Sequence, residues 1–492
     1  MTLANGLIIA RSSLETTAKE LSIVSRNVAN GSVSGSTRKI ADLATVAGGG
    51  VRLVGIARAG DDALYQKLLT ASATSATQQA VTERLNGIDA VTGATSAETS
   101  PAARIGKLRD ALQAYAASPD SAPAGHAALG AARDVVGALH DGSSAVQAAR
   151  EAADARIARG VQALNDALTQ FETVNSQVVK GSRAGRDVTG LLDQRDQLTR
   201  TISQEMGIRT ASRPDHGMAI YTDSGVVLFD VKPRSVAFSA SAGLPAGAAG
   251  KPVLVDGVPV TPSSSTMAIS SGRIAGEAKV RDSIATTYQS QLDEAARGLI
   301  AAFAETDQSA TPSLPGAAGL FSWPGGPALP SAGGIQTGLA ASISINPNAD
   351  PAQGGDIRRI RDGGTANPAA AGYVYNTAGG SGFSAHLQAL VDGLQSARSF
   401  DPGAQLGSNA SLVDYASSSV AWLEQARSSA KASSDNQAAL LQHSSDAYDS
   451  SGGINLDEEM SKLLDLERSY QATSKLISVT DSMLAAIIDA VR

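Results

Sequence analysis

Cysteine is absent from the 492 residues of this chain. Its absence excludes disulfide bonds, thiolate zinc sites and a cysteine nucleophile. Aromatic residues are also few, with seven Phe, nine Tyr and two Trp, so no part of the chain can build a core dominated by aromatic rings. The small residues that take their place favour long Ala- and Leu-rich helices over a β-sandwich.

Charged residues and long apolar runs are limited as well. Asp, Glu, Lys and Arg make up 18% of the chain and leave a net charge of −7, whereas ordinary soluble domains carry about 25% charged residues. No long basic stripe occurs, so the composition predicts no nucleic-acid partner. No window reaches the about 18 consecutive apolar residues of a membrane-spanning helix, and residues 1–10 lack the pattern of a cleaved secretory signal. We therefore expect no insertion into a membrane.

Motifs of enzyme chemistry do not occur in the sequence. It has no P-loop, no G-x-S-x-G nucleophile turn and no H-E-x-x-H zinc motif, and each of the five histidines stands alone, which is typical of surface or capping residues. Asp457, Glu458 and Glu459 would point in different directions on a helix and are interpreted as a charge cluster at a helix N-terminus. The run Asp-Gln-Arg-Asp at 193–196 is interpreted as an ion-paired helix surface. We expect no enzyme activity, no catalytic residue, no cofactor and no metal.

The clearest periodicity lies at the two ends of the chain, where apolar residues recur every seven residues as in a coiled coil. The N-terminal series is Leu7, Leu14, Leu21 and Val28, and the C-terminal series is Leu456, Leu463, Tyr470, Ile477, Leu484 and Val491. A second, patchier series fills the intervening steps at both ends. Both segments are predicted to be amphipathic helices that need a partner surface, because an isolated helix of this kind is marginal in water.

Two kinds of partner fit these terminal helices. A terminal heptad stripe commonly packs on its own domain. The many weak core residues at both ends, mainly Thr, Ser and Ala, instead favour reversible association, with ends that stay loose until a neighbouring copy arrives.

The interior of the chain changes from a helical to a β pattern and back. Helical spacing is strongest from about Ala127 to Lys180, whereas short β-like runs at 218–229 and the hairpin signal Asp256-Gly257 predict a small β domain. We divide the chain into an N-terminal coiled-coil segment and linker (1–60) that pairs with a C-terminal coiled-coil segment (451–492), a helical body (61–211, 276–309 and 386–450), a small β domain (212–275) and a Gly/Pro-rich loop or β insert (310–385). The predicted fold class is mainly α, with a long helical bundle or coiled coil formed by the paired ends and a small β-rich outer domain.

The C-terminal sequence contains motifs of a known family. The runs G-I-N-L-D-E-E-M at 453–460 and Y-Q-A-T-S-K-L-I at 470–477 resemble the C-terminal signature of the FlgK family of flagellar hook-associated proteins. The first run places Asn455, Asp457, Glu458 and Glu459 at motif positions of that family.

Two further motifs extend this resemblance over much of the chain. Asn27, Ala29 and Asn30 match the N-x-A-N motif that flagellar rod, hook and junction proteins share. The run L-L-D-Q-R-D-Q-L at 191–198 is similar to a segment more particular to the FlgK family, and it contributes Asp193, Arg195 and Asp196. The family's T-x-G-Y-S-R after N-x-A-N is here V-S-G-S-T-R at 33–38, without the tyrosine.

The resemblance implies a structural subunit of the bacterial flagellum, an adaptor ring at the hook–filament junction that filament assembly requires. Family members assemble as a ring on the hook tip, with their paired terminal helices inside and their inserted domains outside. The implied partners are further copies of the chain, the hook protein, a second, FlgL-like junction protein and a FlgN-like export chaperone on the C-terminal helix. The implied location is extracellular, reached through the flagellar type III export apparatus without a cleaved signal peptide.

Two other interpretations of the sequence stay open. Another flagellar axial subunit, a hook or distal rod protein, would share the motifs at the two ends, but such proteins are mostly β between their ends, whereas residues 100–206 here have a helical pattern. An effector or carbohydrate-acting enzyme that uses the same export route would need a carboxylate pair in a cleft, and the sequence does not indicate one.

Overall fold

The computed structural model describes residues 3–33, 35–46, 49–93 and 98–490. Helices dominate this fold. Their bounds are α1 Leu3–Asn30, α2 Asp62–Thr92, α3 Pro101–Ala117, α4 Ala122–Arg183, α5 Thr189–Glu205, α6 Arg273–Lys279, α7 Ala285–Ala302, α8 Leu339–Ser342, α9 Arg359–Asp362, α10 Ala385–Gln395, α11 Leu412–Gly452 and α12 Leu456–Ala490. A π-helical segment, Val280–Ile284, joins α6 to α7, and short 3₁₀ helices cover Pro347–Ala349, Pro351–Gln353, Ala371–Tyr373 and Pro402–Ala404.

The β-structure consists of short antiparallel units between these helices. The strands are β1 Lys39–Val46, β2 Gly50–Arg58, β3 Ile208–Ser212, β4 Met218–Thr222, β5 Val227–Phe229, β6 Val236–Ala237, β7 Leu254–Val255, β8 Val258–Pro259, β9 Ala304–Glu305, β10 Ala317–Ala318, β11 Phe321–Ser322, β12 Ser344–Ile345, β13 Arg398–Ser399 and β14 Asn409–Ala410. They pair as two three-stranded sheets, β3–β4–β5 and β6–β7–β8, and as the two-stranded units β1–β2, β9–β10, β11–β12 and β13–β14.

Several long helices begin at a side chain that caps the first turn. Asp61, Ser100, Ser121 and Ser411 each accept a hydrogen bond from backbone N–H groups of the helix that follows. These oxygens satisfy donors that have no partner within the helix. The sequence therefore fixes where the helices of the body start before any tertiary packing is considered.

The 62-residue helix α4 runs through both large hydrophobic cores of the molecule. Its first half, including Leu139, packs in a core with α3, α7, α10 and α11. Its second half, including Phe171, packs with α5 and the two three-stranded sheets, where Phe171 meets Phe229 edge to face at 4.8 Å between ring centroids. One long helix thus belongs to both cores, and the two cores cannot separate without bending or breaking it.

The first and last thirds of the chain pair along their lengths. Helix α2 packs against α11, with the rings of Tyr65 and Tyr448 5.4 Å apart and a hydrogen bond of 3.0 Å from Thr74 to Gln437. Helix α1 packs against α12. The predicted fold class, mainly α with paired ends and a small amount of inserted β-structure, is confirmed. No helix in the described part of the chain has an apolar stretch long enough to cross a membrane.

A β-hairpin within residues 1–60 is a feature that the sequence analysis did not predict. Strands β1 and β2 form a ribbon that lies on α1, where Ser12 and Thr16 donate hydrogen bonds of 2.7 and 2.8 Å to the carbonyl oxygen of Val51. The first strand ends at Val46 and the second begins at Gly50. The β1 residues K-I-A-D-L-A-T-V lack strict alternation of polar and apolar side chains, because both faces of the ribbon are only partly covered.

His386 differs from its interpretation as a surface or capping residue. It lies on α10 with 6% of its surface exposed, its ring stacks on Tyr375 with centroids 3.9 Å apart, and its Nδ1 has no hydrogen-bond partner among the described residues. Burial lowers the pKa of His386 to about 4, so the folded protein holds this side chain neutral at pH 7.

We expect the pH dependence of folding to report on His386. The unfolded chain takes up a proton near pH 6.5 and the folded chain only near pH 4, so the stability is complete above about pH 6.5 and is lost as the pH falls towards 4. Between pH 7.5 and pH 5 the parent chain should lose about 2 kcal/mol more than the variant His386→Phe, which keeps a ring and cannot take up a proton. Urea unfolding monitored by Trp fluorescence measures the difference. The exposed control His443→Phe should follow the parent, and an identical pH dependence of His386→Phe and the parent contradicts the expectation.

Candidate assembly site at the paired ends of the chain

The two terminal helices meet along a stripe of mainly small and medium-sized residues. On α1 the best-buried apolar side chains are Ile23 and Val24, at 3% and 2% exposure. On α12 the side chains of Leu463, Leu466 and Ile477 are only half-buried. The pair therefore buries less apolar surface per residue than the two cores of the body, and its packing contributes correspondingly less free energy.

The residues proposed for assembly fall into distinct environments. Seven of them are half-buried, namely Leu7, Leu14, Leu21, Val28, Leu463, Ile477 and Leu484. Leu456 and Tyr470 are exposed at 44% and 38%, and Val491 lies outside the described residues. The heptad series thus lies mostly along the contact between α1 and α12, and Leu456 and Tyr470 are its more exposed C-terminal members.

A second apolar stripe on α12 was missed in the sequence. Leu476, Val479, Met483 and Ile487 follow one another at steps of three and four residues, and their exposed fractions are 61%, 46%, 53% and 53%. Such steps place the four side chains on one helix face, and that face does not contact α1. The seven-residue series predicted a different face of α12, and of these four residues only Ile487 belongs to the second, patchier series. An exposed apolar face of this length marks a contact surface.

Asn27 ties the base of the helix pair together. Its side-chain Nδ2 donates to the carbonyl oxygen of Lys39 and to Glu459 Oε2, both at 2.9 Å, and its Oδ1 accepts the Lys39 N–H at 3.0 Å. Asn27 is 1% exposed and Glu459 is 3% exposed. One buried amide thereby joins α1, the start of β1 and the first turn of α12. The other two residues of the N-x-A-N motif, Ala29 and Asn30, are exposed.

The first turn of α12 contains the other C-terminal motif residues. Asn455 Oδ1 accepts hydrogen bonds from the backbone of Asp457 and Glu458 at 3.1 and 3.4 Å, so it caps the helix. Arg38 pairs with Glu458 at 3.0 Å and lies 3.9 Å from Glu459. The three acidic residues do stand at a helix N-terminus, where the helix dipole favours them, but Glu459 is buried.

The three charged residues of the run 193–196 are buried and only Gln194 is exposed, which corrects the interpretation of this run as an ion-paired surface. Asp193, Arg195 and Asp196 are 8%, 6% and 5% exposed. Asp193 pairs with Lys39, and Asp196 pairs with Arg58 at 2.5 Å. We call Lys39, Arg58, Asp193, Arg195 and Asp196 the buried charge cluster. Its ion pairs join the hairpin to α5 and so connect the terminal helices to the body.

Further hydrogen bonds surround the buried charge cluster. Thr37 donates its hydroxyl to Asp193 Oδ1 at 2.7 Å, and the Tyr65 hydroxyl donates to the carbonyl oxygen of Asp196 at 2.6 Å. Burial lowers the pKa of Lys39 against the attraction of Asp193 and raises the pKa of Asp196 against the attraction of Arg58. Burial also opposes the charge of Arg58, but the attractions of Asp196, Tyr448 and Asp193 together outweigh it and raise the pKa of Arg58. Desolvation and pairing therefore act in opposition throughout the cluster.

The geometry offers contact surfaces rather than reactive groups. Among the described residues, no group of three or more Asp, Glu or His side chains is placed to hold a metal ion. The motif residues from the two ends and from α5 instead converge on the short connections between the helix pair and the body. This arrangement sets the position of the terminal helices relative to the rest of the molecule.

Comparisons with known proteins agree with this arrangement. A family model described as the flagellar hook-associated protein FlgK helical domain matches residues 85–320, and one described as the flagellar basal body rod FlgEFG protein C-terminal matches residues 447–490. The body of the chain therefore contains a FlgK helical domain. The flagellar hook junction protein FlgK from Burkholderia pseudomallei has a similar fold, with a TM-score of 0.58 at 15% identity over 78% of this chain and 99% of that one. No curated protein sequence matches the chain.

The two family matches cover different parts of the structure. The FlgK helical domain match covers most of the body and includes the run 193–196, whereas the rod-type match covers the end of α11 and helix α12. FlgK proteins are flagellar structural proteins, so the chain is a component of the flagellum. The terminal helix is thus the part that resembles rod proteins, and the body is the part that is particular to FlgK.

We expect the variant Asn27→Ala to loosen the terminal helices without unfolding the body. The change removes three hydrogen bonds and leaves the buried Glu459 carboxylate short of a donor, at a cost of about 1–3 kcal/mol. Hydrogen exchange should become faster in α1 and α12 and stay unchanged in α4. The matched control Asn30→Ala alters an exposed asparagine of the same helix, and equal exchange in the two variants would argue against the role of Asn27.

Proposed function

We propose that the chain is a structural subunit at the hook–filament junction of the bacterial flagellum, where copies form an adaptor ring that filament assembly requires. The FlgK helical domain at residues 85–320 supports this role. The observation that carries the proposal in the structure is the terminal helix pair, which leaves an apolar stripe of α12 uncovered. In a monomer this apolar stripe would stay in contact with water, whereas contact with a second copy would bury it.

The exposed stripe has a physical consequence for assembly. Burial of a Leu, Val, Ile or Met side chain contributes about 1.5–3 kcal/mol, and four such side chains lie along one face of α12. Neighbouring copies arranged around an axis would each cover the stripe of the next copy. The terminal pairs would then form the inside of the ring, and the body with its β-sheets would lie outside it.

Another axial subunit, a hook or distal rod protein, is the alternative to be weighed. The match of residues 447–490 to a rod-type C-terminal segment fits either class. The match of residues 85–320 to the FlgK helical domain and the helical structure of α2 to α5 favour the junction protein. We therefore retain the junction as the site of action.

The finer partners and the route of export are part of the proposal. We infer contacts with the hook protein on one side and with a FlgL-like junction protein on the other. Export proceeds through the flagellar type III apparatus without a cleaved signal peptide, and the ring is extracellular. A FlgN-like chaperone binds the heptad face of α12, which carries Leu463, Tyr470 and Ile477, before assembly, because this apolar face would promote aggregation in the cytoplasm if it lost its contact with α1.

Fractionation of flagella from a deletion strain tests the proposed role. We expect hooks without filaments and flagellin released into the medium, because the filament has no junction on which to grow. Complementation with the parent chain should restore filaments. Normal filaments in the deletion strain would overturn the proposal, and loss of hooks as well as filaments would favour the hook or rod alternative.

The exposed stripe can be tested separately from the fold. The double variant Val479→Asp with Met483→Asp changes two exposed side chains, so the isolated chain should keep its far-ultraviolet circular dichroism and its thermal unfolding midpoint. It should fail to restore filaments in the deletion strain, because two charges would have to be buried between copies. The control Ser478→Asp changes an exposed residue of the same helix outside the stripe. Filaments with the double variant would show that this face is not an assembly contact.

The chaperone contact leads to a prediction about the opposite face of α12. Leu463 and Ile477 are half-buried against α1, so a chaperone that holds this face must take the place of α1. Changing both residues to Asp should weaken chaperone binding by at least tenfold in isothermal titration calorimetry, since each charge would enter an apolar groove. The Val479→Asp, Met483→Asp variant is the matched control on the other face. Unchanged affinity after the change at Leu463 and Ile477 would place the chaperone site elsewhere.

A further inference from the structure

A polar pocket opens beside the buried charge cluster. Its volume is about 490 Å³, and its walls come from β2, the start of α2, the end of α4, the start of α5 and β3. Residues of the charge cluster form its floor, with Arg58, Arg195 and Asp196 all lining it. The pocket lies in the body, away from the exposed stripe of α12, and the assembly role proposed above does not use it.

Arg195 is the side chain in this pocket whose contacts are incomplete. Only 6% of it is exposed. Its Nη1 donates to the carbonyl oxygen of His216 at 2.8 Å and more weakly to Asn175 Oδ1 at 3.4 Å, both of which are neutral groups. Its Nε has no hydrogen-bond partner within the part of the chain that the structure describes. A buried guanidinium normally makes charged contacts through several of its nitrogens.

The charges around Arg195 do not balance. As the structure describes it, the buried charge cluster holds three cations, Lys39, Arg58 and Arg195, against the two carboxylates of Asp193 and Asp196. Both carboxylates form their ion pairs with Lys39 and Arg58, so the positive charge left over is that of Arg195. A buried charge without a counter-charge is costly, and a bound anion would remove that cost.

The other charged groups near the pocket do not supply the missing anion. Asp62 lies on the rim and is exposed, so water screens its attraction for Arg195. Asp187 pairs with Arg26 at 2.9 Å. Arg213 also lines the pocket, and it pairs with Asp230. The pocket is thus open to an anion from outside the chain.

We propose that this pocket binds a carboxylate, which pairs with Arg195. A carboxylate has two oxygens that match the parallel N–H groups of a guanidinium, and the volume admits a small carboxylate or the end of an Asp or Glu side chain. Free carboxylates are one source. A second copy of the chain is the other source, and this second source rests on the proposed ring, in which an exposed Asp or Glu side chain of one copy would enter the pocket of the next.

Thermal unfolding of the isolated full-length chain tests the binding itself and does not depend on assembly. Sodium succinate and sodium acetate are titrated against sodium chloride at equal ionic strength. We expect a saturable rise of the midpoint by about 1–3 °C with the carboxylates and none with chloride. The variant Arg195→Gln should lose the rise, whereas Arg159→Gln, which removes an exposed charge of α4, should keep it.

A second pair of variants keeps the test valid if Arg195→Gln does not fold. Leu192 lines the pocket three residues before Arg195 on α5, so the two side chains are neighbours on one helix face. Leu192→Glu brings a carboxylate into the pocket and should unfold at a higher temperature than Leu192→Gln, with no further rise in succinate. The proposal is overturned if the carboxylates give no saturable rise over chloride, or if Arg195→Gln keeps the rise, or if Leu192→Glu is no more stable than Leu192→Gln.

Complementation of the deletion strain distinguishes the two sources. If a neighbouring copy supplies the carboxylate, Leu192→Glu blocks the pocket and prevents filament growth while Leu192→Gln permits it. If the source is a free carboxylate, both variants restore filaments. The unfolding experiment tests carboxylate binding itself, and the complementation result then identifies the source of the carboxylate.

Discussion

The ion pairs between the β1–β2 hairpin and α5 determine how the ends of this chain relate to its body. Along the chain, residues 31–38 lead from α1 into the hairpin and residues 453–455 lead from α11 into α12. Such connections alone would leave the helix pair free to pivot. Lys39 and Arg58 prevent this, because each holds a buried carboxylate of α5. Buried ion pairs add little net stability after desolvation, but breaking one leaves an isolated buried charge, at a cost of about 3–5 kcal/mol. Their effect is therefore to select one orientation.

The body to which these ion pairs attach is rigid. Helices α2 and α4 each contribute to both hydrophobic cores: Val81 and Leu85 of α2 lie in one core, and Leu68 and Leu69 of α2 lie in the other. Because the same helices are packed at both ends, the cores move as one unit. Helix α5, which carries Asp193 and Asp196, packs on the second half of α4. The orientation of the terminal helices is thus set against a rigid part of the molecule.

The parts of the fold that follow from local sequence were predictable, and the parts that follow from distant contacts were not. The long helices, the Asp256-Gly257 hairpin and the pairing of the two ends could be inferred from spacing and turn residues. The burial of the three charged residues at 193–196 could not, since the partners of Asp193 and Asp196 lie 154 and 138 residues earlier in the chain. Three charged residues within four consecutive helix positions resemble a solvated surface whenever those partners are unknown. The hairpin of β1 and β2 was not predictable for a related reason. Its faces are only partly covered, so polar and apolar side chains do not alternate along the strands.

The two faces of α12 have different roles. One face packs on α1 and holds the helix to the chain, and the other is exposed and available for contacts between copies. The face toward α1 is made of half-buried Leu, Ile and Thr side chains, and its packing is weak. What fixes the base of the helix is polar: Asn455 caps it, and Asn27 and Arg38 hold its acidic first turn. Hydrogen bonds to a helix start define its direction but contribute little along the remaining turns, since their effect fades within the first turn. The distal half of α12 must therefore obtain its stability from apolar contacts, and the side chains free to make them, from Leu476 to Ile487, face away from the rest of the chain.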